Sequence, residues 1–361
     1  MKTNKLIIPV LTGALFAAAA TAQDVNVVLT GSTSFRSITL DRTKALFDSG
    51  YTTLGDASGT LPVTYYGTMS NAIPALGTST VAARLSFSGA GAGMLAVDGS
   101  TPVSTRHPLT GNLSNAVPDL ALSDVFPESA TPPINPANFD VSRIGVIPFV
   151  YLRNNALTGI TNITKEQATL LFTASGVQSG LDGMPASFLG GNDASSNSPV
   201  YFTGRDSGSG TRISVHKDVG FTGTPVMWST NNAGGYIQNS GFSSGGTERN
   251  TIAAGSRVIG YLGEADALAV AASTTQLSYN GVPFSHNNVA TGKYPIWGYE
   301  IIANRAGQLS ANQATIRNAL ISKITDAAYQ ATAVYSNSYV GLADMHVERG
   351  TDGGTITSLD F

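Results

Sequence analysis

Residues 202–212 read Phe202-Thr203-Gly204-Arg205-Asp206-Ser207-Gly208-Ser209-Gly210-Thr211-Arg212. They follow an apolar run and lead into a predicted helix at 211–219, so we expect a strand, a glycine-rich loop and a helix. Glycines let a backbone approach a ligand, and the free N–H groups of a first helical turn attract anions. Ser209 and Thr211 add hydroxyl donors, and Arg205 can offer a two-pronged guanidinium. The stretch therefore predicts an oxyanion site.

Two other interpretations of this stretch stay open. It can be a plain Gly/Ser-rich surface turn in which Thr211 caps the helix. Asp206-Ser207-Gly208 also imitates part of a chymotrypsin-like nucleophile motif. No upstream histidine has a matching context, since His107 lies in a turn-like Thr-Arg-His-Pro.

Two more loops fit the same chemistry. Residues 30–36 place hydroxyls and a glycine between a predicted strand at 25–29 and a predicted helix at 35–47. Asp124 follows a short apolar run, and an ionised carboxylate accepts a hydrogen bond from a protonated phosphate but repels sulfate. A ligand held between two domains needs loops from both, so the loops are more informative together. Taken singly, the loop at 30–36 also fits a simple helix-capping loop, and Asp124 also fits an acidic residue in a turn or at a helix N-cap.

Composition removes several classes of protein. The chain has 361 residues, 42% of them apolar and 12% charged, with a net charge of −3 and no cysteine. It has enough apolar surface to fold, and its length favours about two domains. The lack of a basic run makes a nucleic-acid partner unexpected. Without cysteine or paired histidine spacing, we expect no metal site and no cofactor.

The N-terminus predicts export. Lys2 and Lys5 precede an apolar run at 6–20, which ends in Ala20-Thr21-Ala22. This pattern is typical of a signal peptide at 1–22, cleaved after Ala22. No later segment is apolar for the length of a membrane span. We therefore expect a periplasmic or secreted protein without a span in the mature chain.

Alternating elements predict an α/β fold. Buried strands are predicted at 83–87, 120–122, 144–152, 200–203, 258–262 and 295–303, and further helices at 165–172, 247–254 and 312–328. Two segments dense in Gly, Ser, Asn and Pro, 99–117 and 175–199, are predicted to be surface loops.

At the level of motifs, residues 204–211 resemble the Arg-x-Asp-Gly-Ser-Gly-Thr loop of PstS-like periplasmic phosphate-binding proteins. These are the substrate-binding components of phosphate ABC importers. Further similarities run along nearly the whole mature chain, at 29–35, 121–124, 162–168, 257–261 and 294–296.

The resemblance implies a type II periplasmic-binding-protein fold, with two α/β lobes, two hinge crossings and a ligand cleft between the lobes. Residues 23–148 plus 297–361 would form lobe 1, and residues 149–296 would form lobe 2. The implied function is capture of an oxyanion, in the first place phosphate, by a monomer that performs no enzyme chemistry. An ABC permease is the implied partner.

Matched position by position, the resemblance also implies a ligand-binding set: Ser34, Phe35, Asp124, Arg205, Ser207, Ser209, Gly210 and Thr211. Three positions depart from the family pattern. Ser207 stands where the family has an acid, and Ala90 stands where it has a serine, with Ser88 close by. The tryptophan usual after the helix at 165–172 is missing.

Two alternative functions remain. One is a secreted or matrix protein that kept the fold and lost tight anion binding. The other is a secreted serine hydrolase, because Gly241-Phe242-Ser243-Ser244-Gly245 fits a nucleophile elbow and is followed by Asp266 and by His286 or His346. No strong apolar strand precedes this elbow. We favour a loop that begins the helix at 247–254 and faces the same cleft.

Overall fold

The structure is a computed structural model and describes residues 25–56, 62–174, 184–191, 199–231 and 235–360. The predicted signal peptide and its cleavage position lie outside the described residues. Within the described ranges the fold is mixed α/β, as predicted, with one large sheet at its centre.

The strands range from two to sixteen residues. In chain order they are β1 Val25–Gly31, β2 Thr52–Gly55, β3 Val63–Gly67, β4 Val81–Ser86, β5 Val103–Arg106, β6 Leu113–Ala116, β7 Leu120–Ser123, β8 Phe139–Asn154, β9 Asn162–Ile163, β10 Met184–Pro185, β11 Pro199–Phe202, β12 Met227–Thr230, β13 Tyr236–Asn239, β14 Val258–Gly263, β15 Thr274–Gln276, β16 Ser278–Tyr279, β17 Trp297–Arg305, β18 Val347–Glu348 and β19 Thr357–Ser358.

The helices are short, and α8 is the longest of those described. They are α1 Arg36–Lys44, α2 Ala90–Asp98, α3 Lys165–Ala174, α4 Gly210–Val219, α5 Gly245–Ala254, α6 Glu264–Leu268, α7 His286–Ala290, α8 Ala311–Ile324, α9 Ala327–Gln330 and α10 Ala333–Ser336. None of the helices in the described ranges has the length and apolar character that crossing a membrane requires.

The central sheet has the strand order β10-β11-β14-β8-β17-β7-β1-β4-β3-β2, with β15 also pairing with β8. Near one end β1 lies parallel between β4 and β7, and near the other β11 and β14 run parallel. Parallel strands joined through helices bring their carboxyl ends to one edge of a sheet, where loops can gather around a ligand.

Two antiparallel strands connect these parallel groups. β8 pairs with β17 as far as Pro148 and with β14 from Phe149 onward. Its residues from Ile144 to Leu152 are all buried, which explains why this stretch is a nearly continuous apolar run. The core thus continues through the middle of the sheet.

A buried ion pair fixes the C-terminal segment against the second of these strands. Arg349 bonds Asp218 at 2.9 Å, donates to the carbonyl of Pro295 at 2.6 Å and lies 4.0 Å from the centre of the Trp297 ring. The side chain of Arg349 is only 1% exposed. The segment after the last helix is therefore part of the packed fold.

Some element boundaries differ from the prediction. The helix predicted at 312–328 ends at Ile324, and a separate helix starts at Ala327, where Asp326 accepts from the N–H of Tyr329 at 2.8 Å. The predicted loop at 99–117 contains the β5–β6 hairpin. Of the predicted loop at 175–199, residues 175–183 and 192–198 lie outside the described residues.

Candidate anion-binding site

Three loops meet at the carboxyl ends of the strands. β1 ends at Gly31 before the loop to α1, β7 ends at Ser123 before Asp124, and β11 ends at Phe202 before the loop to α4. These are the loops that the sequence singled out.

Hydroxyl and carboxyl groups link the three loops. The Ser34 and Thr211 hydroxyl oxygens are 3.1 Å apart, and the Thr211 hydroxyl donates to Oδ2 of Asp124 at 3.3 Å. Asp124 is 1% exposed. A carboxyl group so deeply buried must exchange hydrogen bonds with neighbours or with a ligand, because water cannot reach it.

Arg205 lies in the same cluster and is 2% exposed. Its Nε donates to the carbonyl of Phe242 at 3.0 Å, and its Nη2 donates to the carbonyl of Ser243 at 3.0 Å and to the Thr33 hydroxyl at 3.2 Å. A buried guanidinium whose contacts include neutral oxygens keeps a positive charge that can attract an anion.

The N-terminus of α4 packs directly against Asp124. Ser209 caps the helix by accepting from the N–H of Arg212 at 3.4 Å. A Cβ on Gly210 would lie 2.6 Å from Cγ of Asp124 and 2.7 Å from Cβ of Ala90, which is closer than side chains tolerate. Only glycine lets this first turn, with its positive end, approach the carboxyl group.

Helix α2 joins two of the loops through backbone contacts. The N–H of Gly89 donates to the carbonyl of Gly31 at 2.9 Å, and the N–H of Gly91 donates to the carbonyl of Gly208 at 3.1 Å. A Cβ on Gly93 would lie 2.8 Å from the N atom of Gly31. The main chains therefore approach each other with no room for a side chain.

Burial controls the protonation of two carboxyl groups here. It raises the pKa of Asp124, while Arg205 and the hydroxyls of Thr211 and Ser34 oppose the rise. Glu300 of β17 is also fully buried, and burial followed by the charge of Asp124 raises its pKa well above the usual range. Two buried carboxyl groups that act on each other in this way do not readily ionise at the same time.

A second group of charges borders this cluster. Burial lowers the pKa of Arg36, with Asp266 opposing the change and Arg249 and Arg205 adding to it. Arg249 bonds Asp266 at 2.8 Å. Helix α5 begins here, and Ser244 caps it by accepting from the N–H of Thr247 at 3.2 Å. The loop at 241–245 therefore lies against Arg205, which donates to two of its carbonyls.

The structure thus brings together most of the predicted ligand set. Ser34, Asp124, Arg205 and Thr211 belong to one network, and Ser209 and Gly210 begin the helix beside it. Phe35 is buried, with its ring 5.0 Å from the Tyr339 ring, and only its backbone can serve a ligand. Ser207 is set apart from this buried network, with an exposed side chain in the turn before the helix.

The departures from the family pattern have clear positions. Ala90 is the first residue of α2 and is 1% exposed. Ser88 is exposed, and its hydroxyl lies 3.3 Å from that of Thr30. Of the two, only Ser88 carries a hydroxyl.

The residues of the hydrolase alternative do not form a triad in the described part of the chain. Asp266 bonds Arg249, and His346 lies 3.1 Å from Asp360. The carbonyl of Ser243 is committed to Arg205. The described residues also contain no group of three or more His, Asp or Glu side chains able to hold a metal ion.

Sequence reasoning missed several residues around the site. Tyr339 donates its phenol to the carbonyl of Ser34 at 2.7 Å from about 300 positions away. Glu248 and Glu300 are fully buried acids that interact with Arg205 and with Asp124, respectively. A lone acid inside a predicted buried strand, as at Glu300, was the one available signal, because such acids are rarely buried without a reason.

Comparison with solved structures identifies the class of fold as that of two-lobe periplasmic phosphate-binding proteins. A Clostridium perfringens protein with bound phosphate, classed with phosphate ABC transporter substrate-binding proteins, has a TM-score of 0.57 at 16% identity and covers 88% of this chain and 99% of its own. An ABC-type phosphate transport receptor from Vibrio cholerae has a TM-score of 0.55 at 13% identity, with coverage of 88% and 99%. A high affinity periplasmic phosphate-binding protein, PfluDING, has a TM-score of 0.55 at 13% identity, with coverage of 88% and 91%.

This structural similarity confirms the predicted fold. At sequence identities of 13 to 16%, it is evidence for the fold alone. No protein-family model and no curated protein matches the chain.

Proposed function

We propose that this protein is an extracytoplasmic solute-binding protein that captures inorganic phosphate and performs no covalent chemistry. The observation that carries the proposal is the Ser34–Thr211–Asp124 network, in which Thr211 and Asp124 are buried, beside the buried Arg205. It combines a cation, hydroxyl donors and a helix N-terminus with one carboxyl group, which suits an anion that carries a proton. The bound phosphate in the C. perfringens and PfluDING structures supports the same ligand.

Asp124 is the residue through which phosphate would be distinguished from sulfate. A protonated phosphate and an ionised Asp124 share one proton in a hydrogen bond, whereas sulfate brings no proton and leaves two facing acceptors. Ser34, Arg205, Ser209, Gly210 and Thr211 would surround the remaining oxygens, with the backbone of Phe35. Ser207 would take part only if its loop moves on binding.

The proposal extends to two lobes and to transport. Residues 23–148 plus 297–361 would form one lobe and residues 149–296 the other, since β8 changes its partner from β17 to β14 between Pro148 and Phe149. Closure about these crossings would enclose the anion in a monomer. The signal peptide predicted from residues 1–22 would be cleaved near Ala22. The mature protein would then deliver phosphate to an ABC permease, a role supported by the phosphate ABC transporter proteins that share this fold.

Calorimetric titration tests the proposal. The protein is unfolded and refolded to remove bound ligand, then titrated with phosphate and with sulfate at neutral pH. Tight phosphate binding with sulfate excluded is the expected result. Tighter binding of sulfate than of phosphate would identify sulfate as the ligand. Binding of neither anion would favour a secreted or matrix role for the fold.

A further inference from the structure

A third buried carboxyl group lies behind the candidate site. Glu248 belongs to the first turns of α5 and is fully buried. Its Oε1 accepts from the backbone N–H of Tyr261 at 3.3 Å, and its Oε2 has no hydrogen-bond partner among the described residues. Burying a carboxyl group in this position costs free energy unless the group is neutral or interacts with a neighbouring positive charge.

That neighbour is Arg205, which is held by the same two elements. Its side chain donates to the carbonyls of Phe242 and Ser243, immediately before α5. Its backbone N–H donates to the phenol of Tyr261 at 3.3 Å, and the backbone of Tyr261 in turn binds Glu248. The Arg205 guanidinium and the Glu248 carboxyl group are therefore held in place by the same two elements, the start of α5 and Tyr261 of β14.

The charge of Glu248 changes close to physiological pH. Burial raises its pKa to about 8, against the opposing effect of Arg205, and Asp266 adds to the rise. Asp266 is itself paired with Arg249 at 2.8 Å. A further titratable neighbour is the Tyr261 phenol, whose pKa is raised by burial and by Glu248, so the phenol stays neutral. At neutral pH the charge of Arg205 is thus largely uncompensated by Glu248.

We propose that Glu248 is a positioning residue that sets how much positive charge Arg205 presents to the bound anion. This inference rests on the proposed function. While Glu248 is neutral, the guanidinium is available to the ligand. Once Glu248 ionises, its carboxylate attracts the guanidinium and repels the anion, so affinity falls as the pH rises. By linkage, anion binding near the Glu248 pKa takes up a proton.

The test compares two isosteric variants, Glu248→Gln and Glu264→Gln. Glu264 is the matched control, because burial raises its pKa to about 7 and its carboxylate is bonded by Gln276. Phosphate is titrated calorimetrically on either side of pH 8, in buffers of different ionisation enthalpy, which reports proton uptake. We expect the affinity of the natural protein to fall by up to about tenfold per pH unit above this midpoint, with proton uptake.

The outcomes separate clearly. Glu248→Gln should lose the part of the proton uptake and of the decline in affinity that the natural protein shows around pH 8, while Glu264→Gln should keep that part. Proton uptake that persists unchanged in Glu248→Gln overturns the inference. A merely structural Glu248 would alter affinity at every pH equally.

A second measurement separates this inference from the proposed function. If the natural protein binds no phosphate at any pH, the proposed function fails, but the coupling is still measurable by carboxyl-carbon NMR of the ligand-free protein. We expect Arg205→Ala to raise the ionisation midpoint of Glu248, because a stabilising cation is lost. An unchanged midpoint would show that Glu248 does not act through Arg205.

Discussion

The hydroxyl oxygens of Ser34 and Thr211 lie 3.1 Å apart although 177 positions separate the two residues in the chain. One belongs to the loop after β1 and the other to the first turn of α4. This contact brings two distant loops to the same carboxyl group, that of Asp124.

Removing the cation should weaken phosphate binding. Arg205→Ala deletes a buried donor whose charge-assisted hydrogen bonds are worth about 1.5 to 3 kcal/mol, so affinity should fall at least tenfold by calorimetry. Arg153→Ala is the matched control, because Arg153 also donates to backbone carbonyls, those of Ile160 and Asn154. Equal affinity in both variants would remove Arg205 from the site.

Replacing the carboxyl group should change selectivity. Asp124→Asn can donate to sulfate, so the ratio of phosphate to sulfate affinity should fall. Burial raises the pKa of Asp124, so the natural protein should accept sulfate better as the pH is lowered, and Asp124→Asn should not share that trend. Asp119→Asn, which alters a carboxylate bonded to the N–H of Val28, should leave the selectivity unchanged.

A single methyl group should block the site. Gly210→Ala forces a Cβ against Asp124 and Ala90, and it should abolish measurable phosphate binding. Gly246→Ala is the matched control in the first turn of α5, where the nearest atom to a new Cβ is the Ser244 hydroxyl at 3.9 Å. We expect that variant to bind normally and, because alanine favours helix, to be at least as stable. Normal binding by Gly210→Ala would mean that the carboxyl group has room to retreat.

Glu300 should make stability depend on pH. Because its pKa is raised in the folded protein, its contribution is fully present below the unfolded pKa of about 4.3 and declines as the pH rises, by up to about 1.4 kcal/mol per unit. Glu300→Gln removes that decline, so urea unfolding should show a smaller loss of stability between acidic and alkaline pH. The exposed Glu166→Gln should keep the natural slope.

Breaking the buried ion pair should be costly. Arg349→Ala leaves Asp218 buried without its partner, and we expect a loss of about 3 to 5 kcal/mol in the free energy of unfolding. Arg143→Ala breaks the half-exposed pair with Glu348, a hydrogen bond to the carbonyl of Arg349 and two ring contacts, for about 1 to 2 kcal/mol. Similar losses in the two variants would contradict a structural role for the buried pair.

The sequence predicted the local elements and the loops of the site, because both have short-range causes. The apolar run at 25–29 forms β1, and Ser209 caps α4 directly after the glycine-rich loop at 204–208. The strand β3, where Tyr65 is buried and Tyr66 partly so, was missed because it has no clear alternation.

What the sequence could not supply are the pairings between distant segments. The residues next to Tyr339 in the sequence do not indicate that its phenol reaches the carbonyl of Ser34. Those next to Glu248 do not indicate that its carboxyl group interacts with Arg205. Both depend on strand order in the sheet, which only the folded chain defines. The motif at 204–211 was sufficient to predict the site. Its glycines, hydroxyls and arginine, and the helix that follows, all lie within a few consecutive residues and are therefore visible in the sequence.

Gly31 and Gly93 limit which substitutions this fold tolerates. At 13 to 16% identity to the solved structures, most side chains have been exchanged while the fold persists. A position where a second main chain occupies the space of a Cβ offers no substitution that preserves the spacing. Relatives of this chain should therefore be recognisable less by their charged residues than by paired glycines, one ending the first strand and one inside the second helix.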